Sequence, residues 1–465
     1  MEEKLTSTVE DLTYQRKSIY ETADEETMAA IFSYASDYAA FLDNAKTERE
    51  AVNTSLEMAI KAGYTPFTFG EKLKAGDLRY YNNRGKNLFL IRKGTAPLDK
   101  DGIRIMAAHI DSPRIDLKQN PLYEDSQMAF FKTHYYGGLR KYQWLAIPLA
   151  IHGTVVLQSG EIVHISLGEE ESEPVFYIND LLPHLAREQA TKPMASAVSG
   201  ESLNILIGGI PCKSEDVNDK IKQNILELLF DKYQIKERDF QSAELCVVPA
   251  FKARDIGFDR AFIGAYGHDD RVCAYPALTA MIECEDKTHT ILTILADKEE
   301  TGSDSPSGMQ CDLMLDIIGE LADKLGGNER VVRLNSKCLS ADVSCAFDPN
   351  FADAFEKTNT PMLGCGAVFM KYTGSGGKGG TNDACAEYIG WLRSVLAKEN
   401  VVWQTGELGK VDRGGGGTVA KFISKHNIET IDLGVPVISM HAPVEVIAKV
   451  DLYETHRAFS AFFKY

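Results

Sequence analysis

The sequence predicts an α/β fold, in which a mixed, mostly parallel sheet carries helices on both faces and is interrupted by a β-rich insertion. From residue 268 onward, apolar segments such as "HTILTILAD" alternate with helical patterns such as "DDRVCAYPALTAMIEC". These segments are apolar throughout, which is typical of strands covered on both faces. Between residues 117 and 252 the alternation is absent and strand-like segments dominate, which indicates an inserted domain.

The first elements belong to the α/β part. Residues 24–62 predict two helices, because the apolar residues between Met28 and Tyr38 fall on one stripe. The segment "LRYYNNRGKNLFLI" predicts a β-hairpin that turns near Arg84 and Gly85. The segment "GIRIMAAHID" predicts a buried strand that ends in polar residues.

The insertion and the second α/β part follow. The segments "WLAIPLAIHGTVVLQSGEIVHISLG" and "LNILIGGIP" predict strands, and "DKIKQNILELLFDKY" predicts a helix. After residue 268 the predicted order is helix, strand, helix, strand, strand, helix, a short helix, strand and the closing helix "VDLYETHRAFSAFFK". We therefore predict an α/β domain in two parts, 1–116 and 253–465, with a β-rich domain over 117–252.

Size and charge narrow the class of protein. A chain of 465 residues is too long for one ordinary core, which favours two domains. The formal charge of −17 argues against nucleic acid or an anionic membrane as a partner. The first 18 residues contain no apolar core of a signal peptide, and no apolar stretch is long enough to span a membrane. Nine cysteines without a CxxC pair predict a reduced, cytoplasmic protein.

Polar residues follow the apolar segments at five places where strands are predicted to end or turn. They are His109 and Asp111 in "AHIDSP", Asp269 in "GHDDR", Glu299 and Glu300 in "KEETG", Asp342 in "SADVS" and His441 in "SMHAP". Each alone has a structural explanation, such as a hydrogen-bonded core histidine or a helix cap. Sites in open α/β sheets form beyond the carboxyl ends of the strands, and this mixture of imidazole and carboxylate suits zinc or a similar metal. Together they predict a metal site.

Two of these segments contain closely spaced polar residues. His109 and Asp111 are two positions apart, so on a strand both side chains point the same way and the carboxylate can orient the imidazole. Glu299 and Glu300 are adjacent, so on an extended chain their side chains diverge. We therefore expect the two glutamates to have different tasks.

Five ordered segments resemble a known family. The segments "AAHIDSPR", "GHDDR", "DKEETGS", "SADVSCAFDPN" and "IDLGVPVISMHAP" are similar to the metal-binding segments of the aspartyl aminopeptidase and vacuolar aminopeptidase I family of dizinc exopeptidases. The resemblance covers essentially the whole chain and implies a zinc exopeptidase fold with an inserted dimerisation domain. Animal and yeast members have a Leu-Asp-Asn type segment in place of "GHDDR" and Asn-Glu-Glu-Val-Gly-Ser in place of "KEETGS", so the chain resembles a bacterial branch.

The resemblance also implies a set of metal ligands. His109 and Asp342 would bind one ion, Glu300 and His441 the other, and Asp269 would bridge both. Two divalent ions are implied, with Zn²⁺ expected first and Mn²⁺ or Co²⁺ as alternatives.

The resemblance implies an aminopeptidase that removes the N-terminal residue of peptides with a free N-terminus. Glu299 would be the general base for a hydroxide that bridges the metals, and Asp111 would orient His109. A deacylase or carboxypeptidase-like amidohydrolase with the same centre is the alternative, because such folds host several amide hydrolyses. A scaffold without activity would be expected to lack ligands, and none is missing.

Substrate and assembly residues are implied as well. A preference for acidic N-terminal residues requires a cation in the pocket, and the candidates are Lys371 in "FMKYTG" and Arg413. Family members form dodecamers built from dimers, in which the inserted domain closes a neighbour's pocket. His184 in "INDLLPHLAREQ" is the candidate residue for that contact, with packing inside its own domain as the alternative.

Overall fold

A computed structural model describes residues 12–465 of the chain. The predicted absence of a signal peptide rests on residues 1–18, of which residues 1–11 lie outside the described part. Within the described part, no helix is both long enough and apolar enough to cross a membrane.

Helices occur along the whole described chain. In chain order they are α1 (Glu25–Asp43), α2 (Glu48–Lys61), α3 (Leu98–Asp101), α4 (Arg187–Ala190), α5 (Met194–Ala197), α6 (Lys220–Tyr233), α7 (His268–Glu283), α8 (Leu313–Lys324), α9 (Glu329–Asn335), α10 (Ala386–Lys398), α11 (Ala420–Ser424) and α12 (Lys449–Lys464). Local sequence fixes some of the starts. Asp24 caps α1 through the Thr27 N–H, and Thr47 and Glu50 form a reciprocal capping box at the start of α2.

The strands divide into three groups along the chain. The first group is β1 (Thr65–Pro66), β2 (Leu78–Asn83), β3 (Asn87–Arg92) and β4 (Ile103–His109). The second is β5 (Arg114–Asp125), β6 (Met128–Tyr136), β7 (Leu149–Val156), β8 (Ile162–Leu167), β9 (Tyr177–Ile178), β10 (Ile205–Gly208) and β11 (Ala243–Pro249). The third is β12 (Arg254–Ile256), β13 (Phe262–Ala265), β14 (Thr290–Ala296), β15 (Lys337–Ser340), β16 (Ser344–Cys345), β17 (Ala367–Met370), β18 (Trp403–Thr405), β19 (Glu429–Gly434), β20 (Pro436–Ile438) and β21 (Glu445–Ala448).

A nine-stranded sheet forms the centre of the α/β part, in the order β1-β2-β3-β14-β4-β15-β19-β17-β18. Strands β14, β4, β15 and β19 run parallel to one another. Strand β3 pairs antiparallel with both of its neighbours, whereas β17 pairs antiparallel with β19 and parallel with β18. The sheet is therefore mixed and mostly parallel, which confirms the predicted fold class.

Helices cover both faces of this sheet. Along β4, Ile103 and Ile105 pack into one apolar cluster with α8, whereas Met106 and Ala108 pack into the other with α1, α7 and α12. Consecutive strand residues point to opposite faces, so a strand buried on both faces must be apolar at successive positions. This explains the continuous apolar segments in the sequence.

The insertion forms a second large sheet. Its seven strands, in the order β8-β7-β11-β5-β6-β10-β9, pair antiparallel throughout, and the apolar face of α6 packs against them. Strand β5 begins at Arg114 and passes through the predicted boundary at 116/117. The domain boundaries themselves remain predictions. A third sheet has the strand order β12-β13-β21-β20-β16. In the chain, β12 and β13 follow β11 of the seven-stranded sheet and precede β14 of the nine-stranded sheet.

Candidate metal centre and active site

Three neighbouring parallel strands bring the first group of polar residues together. Strands β14, β4 and β15 are adjacent, and Ala296 at the end of β14 is paired with His109 at the end of β4. Because parallel strands have their carboxyl ends at one edge, the residues that follow them meet there. This places His109, the glutamate pair after β14 and Asp342 after β15 at one edge of the sheet.

The five-stranded sheet supplies the other two residues. Strand β13 leads into α7, whose first turn contains Asp269, and the connection from β20 to β21 contains His441. The buried side chain of Glu445, at the start of β21, joins the two segments. Its Oε2 accepts the Asp269 N–H at 3.0 Å and its Oε1 accepts the His441 N–H at 2.7 Å. Sequence reasoning missed Glu445.

The five predicted ligands converge on one point. Asp269 lies between the two histidines, with Oδ1 3.2 Å from His109 Nε2 and Oδ2 3.1 Å from His441 Nε2. Asp342 Oδ1 lies 3.9 Å from His109 Nε2, and Glu300 Oε1 lies 3.7 Å from His441 Nε2. Each oxygen of Asp269 therefore faces one histidine, and each histidine lies near one further carboxylate.

The hydrogen bonds of the histidines leave their second nitrogens available as ligands. His109 Nδ1 donates to the Asp111 carbonyl at 3.0 Å, and His441 Nδ1 donates to the Gly138 carbonyl at 2.7 Å. In the neutral imidazole, the Nε2 lone pair then points at carboxylate oxygens, an arrangement that a cation between them would stabilise. Without such a cation, burial lowers the pKa of His441, but the negative charges of Asp269 and Glu300 have the larger effect. The pKa of His441 is therefore raised to about 10.

The carboxylates give the same indication. Glu300 Oε1 is buried without a hydrogen-bond partner. Burial, followed by the charge of Asp269, raises the pKa of Glu300 well above its usual range, and burial followed by Asp270 does the same for Asp342. Divalent cations reverse such shifts because they stabilise the ionised carboxylate. The donor set of imidazole and carboxylate therefore fits zinc or a related metal.

The glutamate pair lies in a tight turn. Lys298 has a φ of 70°, and Glu299–Thr301 forms one turn of 3₁₀-helix after β14. The expectation of an extended chain at this point was wrong, although adjacent side chains also diverge in a 3₁₀ turn. Burial raises the pKa of Glu299 to about 7, with nearby Asp111 and Asp269 adding to the effect and His109 opposing it.

Asp111 holds this turn in place. Its Oδ1 accepts the Glu299 N–H at 3.1 Å, and its Oδ2 accepts the Glu300 N–H at 3.2 Å and the Tyr136 hydroxyl at 2.6 Å. Burial and the Asp111 charge raise the pKa of Tyr136, so its hydroxyl stays protonated and donates. Asp111 contacts His109 chiefly through its carbonyl, and its Oδ1 lies 3.4 Å from the ring. Sequence reasoning missed Tyr136, which belongs to the seven-stranded sheet.

Asp270 is another residue that sequence reasoning missed. Its Oδ2 accepts the His109 N–H at 3.3 Å, and its buried Oδ1 has no hydrogen-bond partner. Ligand atoms of His109, Asp270 and Asp342 all lie within 4.8 Å of one another, as do those of His109, Asp269 and Glu300. The adjacent aspartates in "HDDR" were the available signal.

A cavity of about 490 Å³ opens onto these residues. The five predicted metal ligands (His109, Asp269, Glu300, Asp342 and His441), called the ligand cluster below, line this cavity together with Glu299. The glycine-rich segment 415–417 and Thr418 line it as well. Among the described residues that line it, Lys421 is the one lysine or arginine, and sequence reasoning missed it.

The three predicted substrate-binding residues lie elsewhere in the single chain. Lys371 lines a different cavity and forms an ion pair with Asp383. Arg413 and His184 are exposed, and neither lines the cavity at the ligand cluster. Their roles in substrate binding remain predictions.

Known proteins resemble this chain over nearly its whole length. The family described as "Aminopeptidase I zinc metalloprotease (M18)" matches residues 41–463. A probable M18 family aminopeptidase 1 of Clostridium acetobutylicum is 48% identical over 460 residues, covering 97% of this chain and 99% of that relative.

Solved structures resemble the fold. The crystal structure of an M18 family aminopeptidase from Thermotoga maritima superposes with a TM-score of 0.92 and is 39% identical, covering 97% of this chain and 100% of that one. The mApe1 dodecamer of S. cerevisiae has a TM-score of 0.74 at 19% identity, covering 93% of this chain and 96% of that one, and supports the fold alone.

Proposed function

The chain belongs to the M18 family of zinc metallo-aminopeptidases, as the resemblance implied, and from this we propose that it removes N-terminal residues from peptides at the cavity beside His109, with Glu299 as general base. The observation that carries the proposal is the position of Asp269, whose two oxygens face the Nε2 atoms of His109 and His441 at 3.2 and 3.1 Å. From this position Asp269 would be able to bind both of two adjacent metal ions.

Five residues would hold the ions. His109 and Asp342 would bind one ion, Glu300 and His441 the other, and Asp269 would contribute one oxygen to each. Zn²⁺ is expected first, with Mn²⁺ and Co²⁺ as alternatives. When bound, such ions lower the pKa of water and polarise the scissile carbonyl.

Glu299 carries the proton in this proposal. It takes the proton of the attacking water and delivers it to the leaving amine. Burial raises the pKa of Glu299 to about 7 in the metal-free chain, and the positive charge of bound ions would lower it, which would keep Glu299 ionised and able to accept a proton near neutral pH. Asp111 supports this role because its carboxylate fixes the backbone N–H groups of both glutamates.

The glutamate pair provides a matched test. We expect Glu299→Gln to lower kcat by about 10²- to 10⁴-fold while bound zinc, measured by atomic emission, stays at the wild-type ratio. Glu300→Gln removes a proposed ligand and should lose both zinc and activity. Full activity of the zinc-loaded E299Q variant on aminoacyl-p-nitroanilides would refute the proposal. Turnover of N-acetylated substrates instead of free amines would favour the deacylase alternative.

A preference for acidic N-terminal residues is the finer proposal. The cavity wall is rich in carboxylates, and Lys421 is the cation that lines it, whereas Lys371 is paired with Asp383. An acidic side chain would gain its countercharge from Lys421. Comparing Asp, Glu, Leu and Lys substrates with K421M and K371M separates the two lysines. We expect K421M to lose up to about fivefold in kcat/KM for Asp and Glu substrates while retaining activity on Leu substrates, because Lys421 is exposed. A preference for Leu or Lys in the wild type would refute the proposal.

We also propose a cytoplasmic homo-oligomer, a dodecamer built from dimers through residues 117–252. Exposed apolar side chains on this part of the chain, such as Leu185 at 67% and Ile210 at 74%, support a protein contact there. The free state of all nine cysteines suits a reducing compartment. Native mass spectrometry of the wild type against Leu185→Glu tests the assembly, and His184→Ala in the intact assembly tests whether a neighbour's His184 affects KM. A monomeric wild type would contradict the proposal.

A further inference from the structure

We propose that Tyr136–Gly138, called the support segment below, positions both histidines of the metal centre from the seven-stranded sheet. It comprises the last residue of β6 and the two glycines that follow. The inference rests on the metal centre proposed above and adds residues that bind no metal themselves.

The first arm of the support segment is Tyr136. Its hydroxyl donates to Asp111 Oδ2 at 2.6 Å, the shortest of the three hydrogen bonds that this carboxylate accepts. The Asp111 carbonyl in turn accepts from His109 Nδ1. Without the hydroxyl, the two longer hydrogen bonds from Glu299 and Glu300 would hold the Asp111 carboxylate less firmly, and its Oδ1 lies 3.4 Å from His109 Nδ1. Tyr136 therefore acts on the metal site through Asp111 and is a positioning residue.

The second arm is the carbonyl of Gly138. It accepts from His441 Nδ1 at 2.7 Å, which fixes the ring and turns Nε2 toward Asp269 and Glu300. A metal-binding histidine commonly donates its other nitrogen in this way, and such partners affect metal affinity about 10- to 100-fold.

Gly137 joins the two arms at a point where even a Cβ would fit only tightly. Its φ is 74°, and a Cβ would lie 3.2 Å from Glu300 Oε2 and 3.4 Å from Pro113 Cα. Glycine adopts this left-handed conformation without the steric cost of a Cβ. The support segment therefore passes directly over a proposed ligand.

The support segment is itself held by residues away from the metal site. Tyr136 pairs with Arg114 across β5 and β6, and the Arg114 guanidinium lies 4.1 Å from the centre of the Tyr136 ring. Arg114 Nη1 donates to Glu48 Oε2 at 3.1 Å, and both side chains are buried. The ring is thus fixed independently of its hydroxyl, so phenylalanine can keep its place.

The test is Tyr136→Phe, with Tyr135→Phe as the matched control on the exposed neighbour. We expect Y136F to bind Zn²⁺ about 10- to 100-fold more weakly in competition with a chromophoric chelator. We also expect a changed visible spectrum of the Co²⁺-loaded protein and a lower kcat at nearly unchanged KM, with Y135F like wild type in all three. A Y136F protein with wild-type zinc affinity and cobalt spectrum would overturn the inference.

Two further variants keep the test decisive. Gly137→Ala should disturb Glu300 and weaken zinc binding without removing the Tyr136 hydroxyl, and it carries the same measurements if Y136F does not fold. Asp269→Asn separates this inference from the proposed function. If D269N binds zinc like wild type, the metal centre itself is misplaced. If D269N loses zinc and both support-segment variants keep it, the support segment alone is refuted.

Discussion

The two large sheets contribute to the site in different ways. In the nine-stranded sheet, β14, β4 and β15 run parallel. His109 ends β4, the glutamate pair follows β14 and Asp342 follows β15, all at the same edge. The seven-stranded sheet is antiparallel, so its strand ends alternate between two edges, and it reaches the site through the support segment. Parallel pairing therefore gathers chemical groups, whereas the antiparallel sheet supplies support and an exposed apolar surface.

Removal of the metal should have the largest effect, and it should affect the nine-stranded sheet more than the seven-stranded sheet. Chelation should lower activity by at least about a thousandfold, because the proposed reaction depends on Lewis-acid chemistry. It should also leave several buried carboxylates without a countercharge. At a metal concentration about a thousand times Kd, bound metal stabilises the folded state by about 4 kcal/mol. Hydrogen exchange should therefore accelerate in β4 and β14 after chelation.

Strands β7 and β11 of the seven-stranded sheet are the internal control for this experiment. They lie away from the ligand cluster, so their exchange should change little when metal is removed. Equal acceleration in both sheets would show that they unfold as one unit, and the division of roles between them would be wrong.

The proposed ligands and Asp111 could be predicted from the sequence, but Tyr136 and Glu445 could not. His109, Glu300 and Asp342 follow apolar segments, and strand-end logic brings such residues together. Tyr136 contacts Asp111 across 25 positions, and Glu445 links His441, four positions away, to Asp269, 176 positions away. Hydrophobic periodicity marks neither residue. The placement of Lys371 depends on the fold of an exposed glycine-rich loop, which hydrophobic periodicity does not specify.

The next prediction concerns a buried histidine of the seven-stranded sheet that contacts a helix of the α/β part. His152 of β7 lies 2.8 Å from Glu50 of α2 through Nδ1 and 2.8 Å from Glu169 through Nε2, and Lys46 Nζ lies 3.6 Å from Glu169. Burial lowers the pKa of His152, but the two carboxylates outweigh it and raise it to about 9. Because its pKa is raised in the folded state, protonated His152 stabilises that state. This contribution is fully present below the pKa of the unfolded chain, about 6.5, and is lost as the pH rises through about 9.

Urea unfolding at several pH values measures this effect. The wild type should lose up to about 3 kcal/mol of unfolding free energy between pH 6.5 and 9.5 from this group. His152→Gln should lack that part of the pH dependence, and exposed His164→Gln on β8 should retain it. Identical pH profiles of the unfolding free energy for wild type and H152Q would show that His152 does not cause this pH dependence.

The smallest effect is expected for Glu445→Gln, which tests how much the five-stranded sheet contributes to the metal centre. Glu445 accepts the N–H groups of Asp269 and His441 with different oxygens, and glutamine would place an NH₂ donor against one of them. An unpaired buried donor beside a ligand should weaken zinc binding about tenfold in chelator competition, with exposed Glu429→Gln unchanged. If E445Q matches wild type while Y136F does not, the seven-stranded sheet controls ligand geometry more than the five-stranded sheet, although Asp269 and His441 lie on segments connected to the latter.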